Sequence, residues 1–217
     1  NAMRLLKLIN DLLELVRLES GSIKIHPKPV EIGDFVHGIA NAVGAMAKDK
    51  RITLSSHVTA DVGTVMTDPE KLERITLNLI FNALKFTAAN GRVDFNARTE
   101  DEWLVVDVKD TGMGIPADQL PHIFGRFWQA DTSSQRKFQG MGIGLGLVKE
   151  LAEAQGGSVS ATSEVGKGTT MTVRLPLTRP TAADLAEAEV KDEHHDPAEH
   201  PEGMQKDWIA DLYRRAE

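Results

Sequence analysis

Two asparagines and a lysine stand at helical spacing in Asn78-Leu-Ile-Phe-Asn82-Ala-Leu-Lys85-Phe-Thr87. Positions four apart share a helix face, with Lys85 about one turn further on. Asparagine is a mediocre helix former, so two on an otherwise apolar helix call for a reason. A neutral amide oxygen beside phosphates can complete the octahedron around Mg²⁺, and a lysine can neutralise phosphate charge. The same amides could equally satisfy nearby backbone groups. Downstream, Asp110-Thr-Gly112-Met-Gly114-Ile-Pro116 follows an apolar run. A buried carboxylate there can accept from the exocyclic amine of adenine and would repel the carbonyl of guanine; an Asp followed by alternating glycines is also a common turn. In Gly140-Met-Gly142-Ile-Gly144-Leu145-Gly146-Leu147, glycines let backbone N–H groups approach phosphates at a helix start, although a surface loop reads the same way. The spacing is neither the dinucleotide fingerprint nor a Walker loop. Gly166-Lys-Gly168-Thr169-Thr170 reads as a hairpin turn, and Phe124-Gly-Arg126-Phe127-Trp128 as a hydrophobic plug in a loop.

Positioning these groups takes a mixed α+β body. Met3–Glu19 reads as one helix with an apolar face too wide for a two-stranded coiled coil, ended by Ser20-Gly21-Ser22. A link with Pro27 and Pro29 leads to a helix over 32–47 and strands over 51–58 and near Val65. Asp68-Pro69 supplies an N-cap and first turn for the asparagine helix, whose apolar positions include Leu72, Ile75, Leu79, Ile80 and Ala83. Strands over 92–99 and 103–108 follow, then a glycine-rich stretch from Thr111 to Gly144. A helix over 144–154 is stopped by Gly156-Gly157, and a hairpin joins 158–163 to 168–175. That makes about five strands and three longer helices, without repeats.

Among the 217 residues there is no cysteine, which excludes disulfides and thiolate chemistry. No apolar run reaches the ~18 residues needed to span a membrane, and Asn1-Ala2 read as a tag remnant. The formal charge of −7 lies wholly in the tail from Pro180, which has 11 acidic and 4 basic residues; residues 1–179 hold 21 of each sign. Neither segment offers the basic surface of a nucleic-acid binder. Leu185–Val190 reads as helical, and Trp208, Ile209, Leu212 and Tyr213 share one face of a short terminal helix.

Taken together and in this order, the segments resemble the nucleotide-binding half of sensor histidine kinases over roughly residues 3–178. Asn78–Thr87 resembles the N box, Asp110–Pro116 the G1 box, Phe124–Trp128 the F box and Gly140–Leu145 the G2 box, with Gly166–Thr170 the glycine turn after it. Two frames fit the third glycine run; counting back from Gly156 selects Gly140, Gly142 and Gly144. Gly146 then stands where alanine is usual and Met141 where a small hydroxyl residue is usual.

The resemblance implies a two-layer α/β sandwich of the histidine kinase and gyrase type (the Bergerat fold), with a mixed sheet under three helices and a lid over about 111–144. It implies ATP and Mg²⁺ as cofactors. Asn82 would ligate Mg²⁺, and Asn78 and Lys85 would act at the phosphates. Asp110 would bind adenine, with Gly112 and Gly114 allowing the approach, and Gly140, Gly142 and Gly144 would surround the phosphates. Ile115, Leu145 and Thr170 complete the implied nucleotide contacts. Residues 3–21 resemble the second helix of the dimerisation and phosphotransfer hairpin, residues 22–178 the catalytic domain, and 179–217 form an acidic tail. None of the seven histidines sits in the phosphoacceptor context, so the chain is not expected to label itself. The implied partners are a phosphoacceptor helix of its own or a partner subunit, a response-regulator receiver domain and a second copy of the chain, in the cytoplasm. Another ATPase of the same fold, or a nucleotide-gated module without catalysis, are the alternatives.

Overall fold

Three long helices lie on one face of a five-stranded sheet in the computed structural model, which describes residues 23–128 and 142–193. The elements run β1 (Lys28–Glu31), α1 (Ile32–Asp49), β2 (Thr53–Val58), β3 (Thr64–Thr67), α2 (Pro69–Phe86), β4 (Arg92–Glu100), β5 (Trp103–Asp110), a 3₁₀ turn at Leu120–His122, α3 (Gly144–Ala154), β6 (Ser158–Glu164), β7 (Gly168–Pro176) and α4 (Ala182–Glu193). The main sheet has the order β2-β4-β5-β7-β6, with β2 parallel to β4 and the other pairs antiparallel. It is therefore mixed.

Strand alternation fixes which face the helices cover. Val93, Phe95 and Ala97 on β4 pair in register with Asp110, Val108 and Val106 on β5, and all six are buried. Their neighbours form a polar outer face, where Arg98 bridges Glu100 and Asp107 while Arg174 reaches Glu100. Against the inner face, α2 buries Leu72, Ile75, Leu79 and Ile80 almost completely. Each such side chain contributes about 1.5–3 kcal/mol, which outweighs the poor helix propensity of the two asparagines.

The start of α2 follows from its sequence. Asp68 is the N-cap, its Oδ1 accepting from Lys71 N at 3.1 Å, and Pro69 occupies the first turn. α3 spans Gly144–Ala154, and Gly156 after it takes φ +77°, the left-handed stop that glycine favours. The two helices run antiparallel: the start of α2 meets the end of α3 through Gln155, and Asn78 meets Gly144.

Two features depart from the sequence reading. The proline-containing link forms strand β1, which pairs antiparallel with β3 in a separate two-stranded sheet. Pro29 is tolerated because a two-stranded ribbon leaves each strand one unpaired edge. Strand β3, read near Val65, thus lies outside the main sheet. The helix expected at Leu185–Val190 extends over α4, where Thr181 and Asp184 cap each other. It follows an anchored segment: Arg179 donates to the carbonyls of Val62, Asp61 and Thr64, and Met66 N donates to Thr178 O. The helix read over residues 3–20, the terminal face at Trp208–Tyr213, and His194, His195 and His200 lie outside the described residues. His26, His37, His57 and His122 are exposed.

Candidate active site

Asn78 and Asn82 project from the same side of α2, and both are half-buried. Asn78 Nδ2 donates to Arg74 O at 2.8 Å, which turns its oxygen the other way. A methyl group added at Gly144 would stand 3.0 Å from Asn78 Oδ1. The oxygen therefore faces the first turn of α3, whose N–H groups lack intrahelical partners. Asn82 makes no side-chain hydrogen bond among the described residues. A half-buried amide in that condition is suited to a ligand. The Lys85 ammonium lies 5.1 Å from the centroid of the Phe86 ring.

Asp110 closes the other end of the site. It is 7% exposed, at the end of β5. Burial raises its carboxyl above the ordinary range, opposed by hydrogen bonds from the backbone amides of Gly112 and Thr169. The Gly112 N–H to Asp110 Oδ1 distance is 2.7 Å. The loop after Asp110 is pressed between the end of α2 and the β6–β7 turn. Met113 N donates to Phe86 O, Gly166 N to Met113 O, and Ile115 N to Ser163 Oγ. A Cβ at Gly112 would come within 2.5 Å of Phe86 O. At Gly114, with φ +71°, it would come within 2.1 Å of Glu164 O. These glycines thus have a structural duty in holding the carboxylate loop against its supports, beside any duty toward a ligand.

On the glycine-rich side, Gly142 takes φ +70°, and a Cβ there would meet Trp128 O at 2.4 Å. Leu145 packs against the core. Gly140 lies outside the described residues. At Gly146, the position where alanine is usual, an added methyl would find only ordinary contacts, 3.6 Å from Arg126 Cα and Phe124 O. The Arg126 guanidinium pairs with Glu150 of α3 at 2.6 Å, and Phe127 is 59% exposed at φ +60°.

The register sets two adjacent threonines on opposite faces. Thr170, implied as a nucleotide contact, pairs with Lys109 and Thr162 on the outer face of the sheet. Thr169, its neighbour, pairs with Asp110 and is buried on the helix side, with its hydroxyl 2.9 Å from Ser163 Oγ. The buried side of 169–175 follows from alternation, but two adjacent threonines leave its parity open until the register is known. Thr87 was also missed as an individual residue. It caps α2, is 7% exposed, and its hydroxyl has no partner among the described residues.

Comparison with known proteins agrees with this fold. Residues 67–179 match the family described as histidine kinase-, DNA gyrase B- and HSP90-like ATPase. An uncharacterised sensor-like histidine kinase of Rhizobium meliloti is 36% identical over 180 residues, covering 83% of this chain and 34% of that protein. Sensor histidine kinase RcsC of Escherichia coli is 35% identical over 174 residues, covering 80% and 18% respectively. The chain thus spans about a third or less of the curated relatives it matches. Full-length ShkA, solved with AMPPNP, superposes with a TM-score of 0.75 at 32% identity, covering 83% of this chain and 37% of that one. The catalytic domain of histidine kinase ThkA shares the fold at 16% identity and a TM-score of 0.61, covering 71% of this chain and 99% of that one. With the Asn78 amide facing a helix start and a buried carboxylate at the end of β5, this chain belongs to the histidine kinase-, DNA gyrase B- and HSP90-like ATPase family, as an ATP-binding domain of the sensor histidine kinase kind.

Proposed function

We propose that this domain binds Mg·ATP between α2 and the start of α3 and delivers the γ-phosphoryl group to a histidine on a phosphoacceptor helix, of its own or a partner subunit. The observation that carries the reading is the combination of Asn82, half-buried and without a side-chain partner among the described residues, with Asp110, buried at the end of β5. Asp110 accepts from the adenine amine. Asn78 Oδ1 and the first turn of α3 line the phosphate side, with Gly142 and Gly144 keeping side chains out of the way, and Lys85 swings from Phe86 toward phosphate charge. Asn82 is the residue that would hold Mg²⁺, which would supply charge neutralisation at the phosphates.

The chemistry asked of the protein is positioning and charge neutralisation. A neutral imidazole nitrogen attacks phosphorus with its lone pair, the bond to the β–γ bridging oxygen breaks, and ADP leaves. The phosphoryl group then passes to an aspartate of a response-regulator receiver domain. The intact kinase is a dimer of this chain, and the domain works in the cytoplasm. Among the described residues no helix is long and apolar enough to cross a membrane.

Incubation with ATP labelled at the γ position tests the transfer. The chain alone remains unlabelled, and an added polypeptide carrying the phosphoacceptor helix acquires an acid-labile, base-stable label. Release of free phosphate at a substantial rate, with no label on the added helix, would identify a different ATPase of this fold.

A further inference from the structure

The start of α2 is tied to more than its own first turn. Asp68, 2% exposed, uses both carboxylate oxygens: Oδ1 accepts from Lys71 N at 3.1 Å inside α2, and Oδ2 accepts from His26 N at 2.9 Å. His26 belongs to the segment that precedes β1, on the path from residues 3–21 into the ATP-binding body. The backbone N–H of Asp68 donates to Gln155 Oε1 at 3.2 Å, and the Thr67 hydroxyl, buried beside it, donates to the same oxygen at 2.9 Å. Gln155 is the C-cap of α3, and its Nε2 donates to Leu151 O at 3.3 Å. Asp68 thus joins the incoming segment to the N-terminus of α2 by its carboxylate, and α2 to the C-cap of α3 by its backbone N–H to Gln155.

Those two helices hold the phosphate side of the site. Asn78 and Asn82 lie ten and fourteen residues along α2, roughly 15 and 21 Å at helical rise, and Gly144 begins α3 opposite Asn78. Helices transmit a displacement along their axis because their interiors are close-packed. If the His26 amide departs, a carboxylate oxygen is left unpaired at a nearly buried position, and the group must turn or hydrate to recover a partner. Either response loosens the cap of α2 and its seat against Gln155.

We propose that Asp68 couples docking of the segment at His26 to nucleotide binding, as a positioning residue that sets α2 and α3 for the phosphates. The docked segment favours bound nucleotide, and by linkage bound nucleotide favours docking to the same extent. A displacement of the segment at His26 thereby acts on the ATP site. This goes beyond the proposed activity and rests on the site binding Mg·ATP.

The test is a double-mutant cycle on the whole chain, read by calorimetric titration with Mg·AMPPNP. Asp68→Asn keeps a strong N-cap residue. Its single oxygen stays with Lys71 N inside the helix turn, so the His26 amide loses its acceptor. His26→Pro removes the donor itself at an exposed position and leaves Asp68 untouched. Each single variant is expected to bind about fivefold more weakly, the lower end of ordinary coupling. The double variant should be no weaker than Asp68→Asn alone, because both substitutions break one interaction. A lowered melting temperature with unchanged affinity would reduce Asp68 to a plain helix cap and overturn the proposal. So would losses that multiply in the double variant. A wild-type chain that binds no nucleotide would end both readings, whereas tight binding that neither substitution weakens would end only the coupling.

Discussion

Replacing Asp110 by asparagine is expected to weaken Mg·ATP binding about 10- to 100-fold while leaving the nucleotide-free protein at least as stable at neutral pH. The affinity loss is that of a hydrogen bond to a charged acceptor inside a buried site, about 1.5–3 kcal/mol. The stability effect has the opposite sign because burial raises this carboxyl, and the amides of Gly112 and Thr169 offset that only in part. A carboxyl whose folded value lies above its unfolded one holds its proton longer in the folded state. Stability then falls as pH rises from the unfolded value through the raised folded value, and the cost is complete above it. Asparagine removes an ionisation that the fold resists. Titration calorimetry and thermal unfolding check both halves. The stability advantage of the variant should shrink below the ordinary carboxylate value of about 3.9. An affinity loss accompanied by a large stability loss would mean that Asp110 serves the fold rather than the nucleotide.

The substitution Gly168→Ala should destabilise the domain by about 3 kcal/mol or more. Gly168 opens β7 at φ +107°, and a Cβ there would stand 1.9 Å from the carbonyl oxygen of Asp110 and 2.9 Å from Thr111 Cα. Both are backbone, so neither can swing aside. The strained torsion costs about 1–3 kcal/mol, and separating β7 from β5 adds a similar overpacking cost. The same displacement moves the strand end that presents Asp110, so residual folded protein should also bind nucleotide poorly. Gly166→Ala is the comparison. Its φ is +80°, but nothing lies within 4 Å of the added methyl, leaving only the left-handed penalty of about 1–2 kcal/mol. Denaturant unfolding of the two variants should separate them clearly. Equal losses would show that torsion, and not the approach to Asp110, makes glycine necessary at 168.

Where local chemistry decides structure, the sequence could be read directly. Asp68-Pro69 begins α2 and Gly156-Gly157 ends α3, because a cap and a left-handed stop act within a few residues. Placing Asn78 and Asn82 together needed only helical periodicity. What escaped depends on partners distant in sequence. Gly112 and Gly114 were assigned to the ligand, yet they also fit against Phe86 O and Glu164 O, whose approach is set by tertiary packing. Thr169 and Thr170 are chemically equal, and only the pairing of β7 with β5 tells their faces apart. The strand at Lys28–Glu31 was masked by Pro29, and its pairing partner lies beyond all of α1. Arg179 gave no signal as a clasp, since the carbonyls of Asp61, Val62 and Thr64 carry no mark in sequence.

In the proposed site an amide on α2, Asn82, grips the magnesium of a nucleotide whose adenine is read by the carboxylate of Asp110. Parallel titration of the chain with ATP and with GTP, each with Mg²⁺ and again with the ion chelated, tests it most directly. ATP should bind only when magnesium is present, with GTP at least about tenfold weaker, and Asn82→Ala should abolish the magnesium dependence. Equal binding of the two nucleotides, or ATP affinity indifferent to both magnesium and Asn82, would contradict the account.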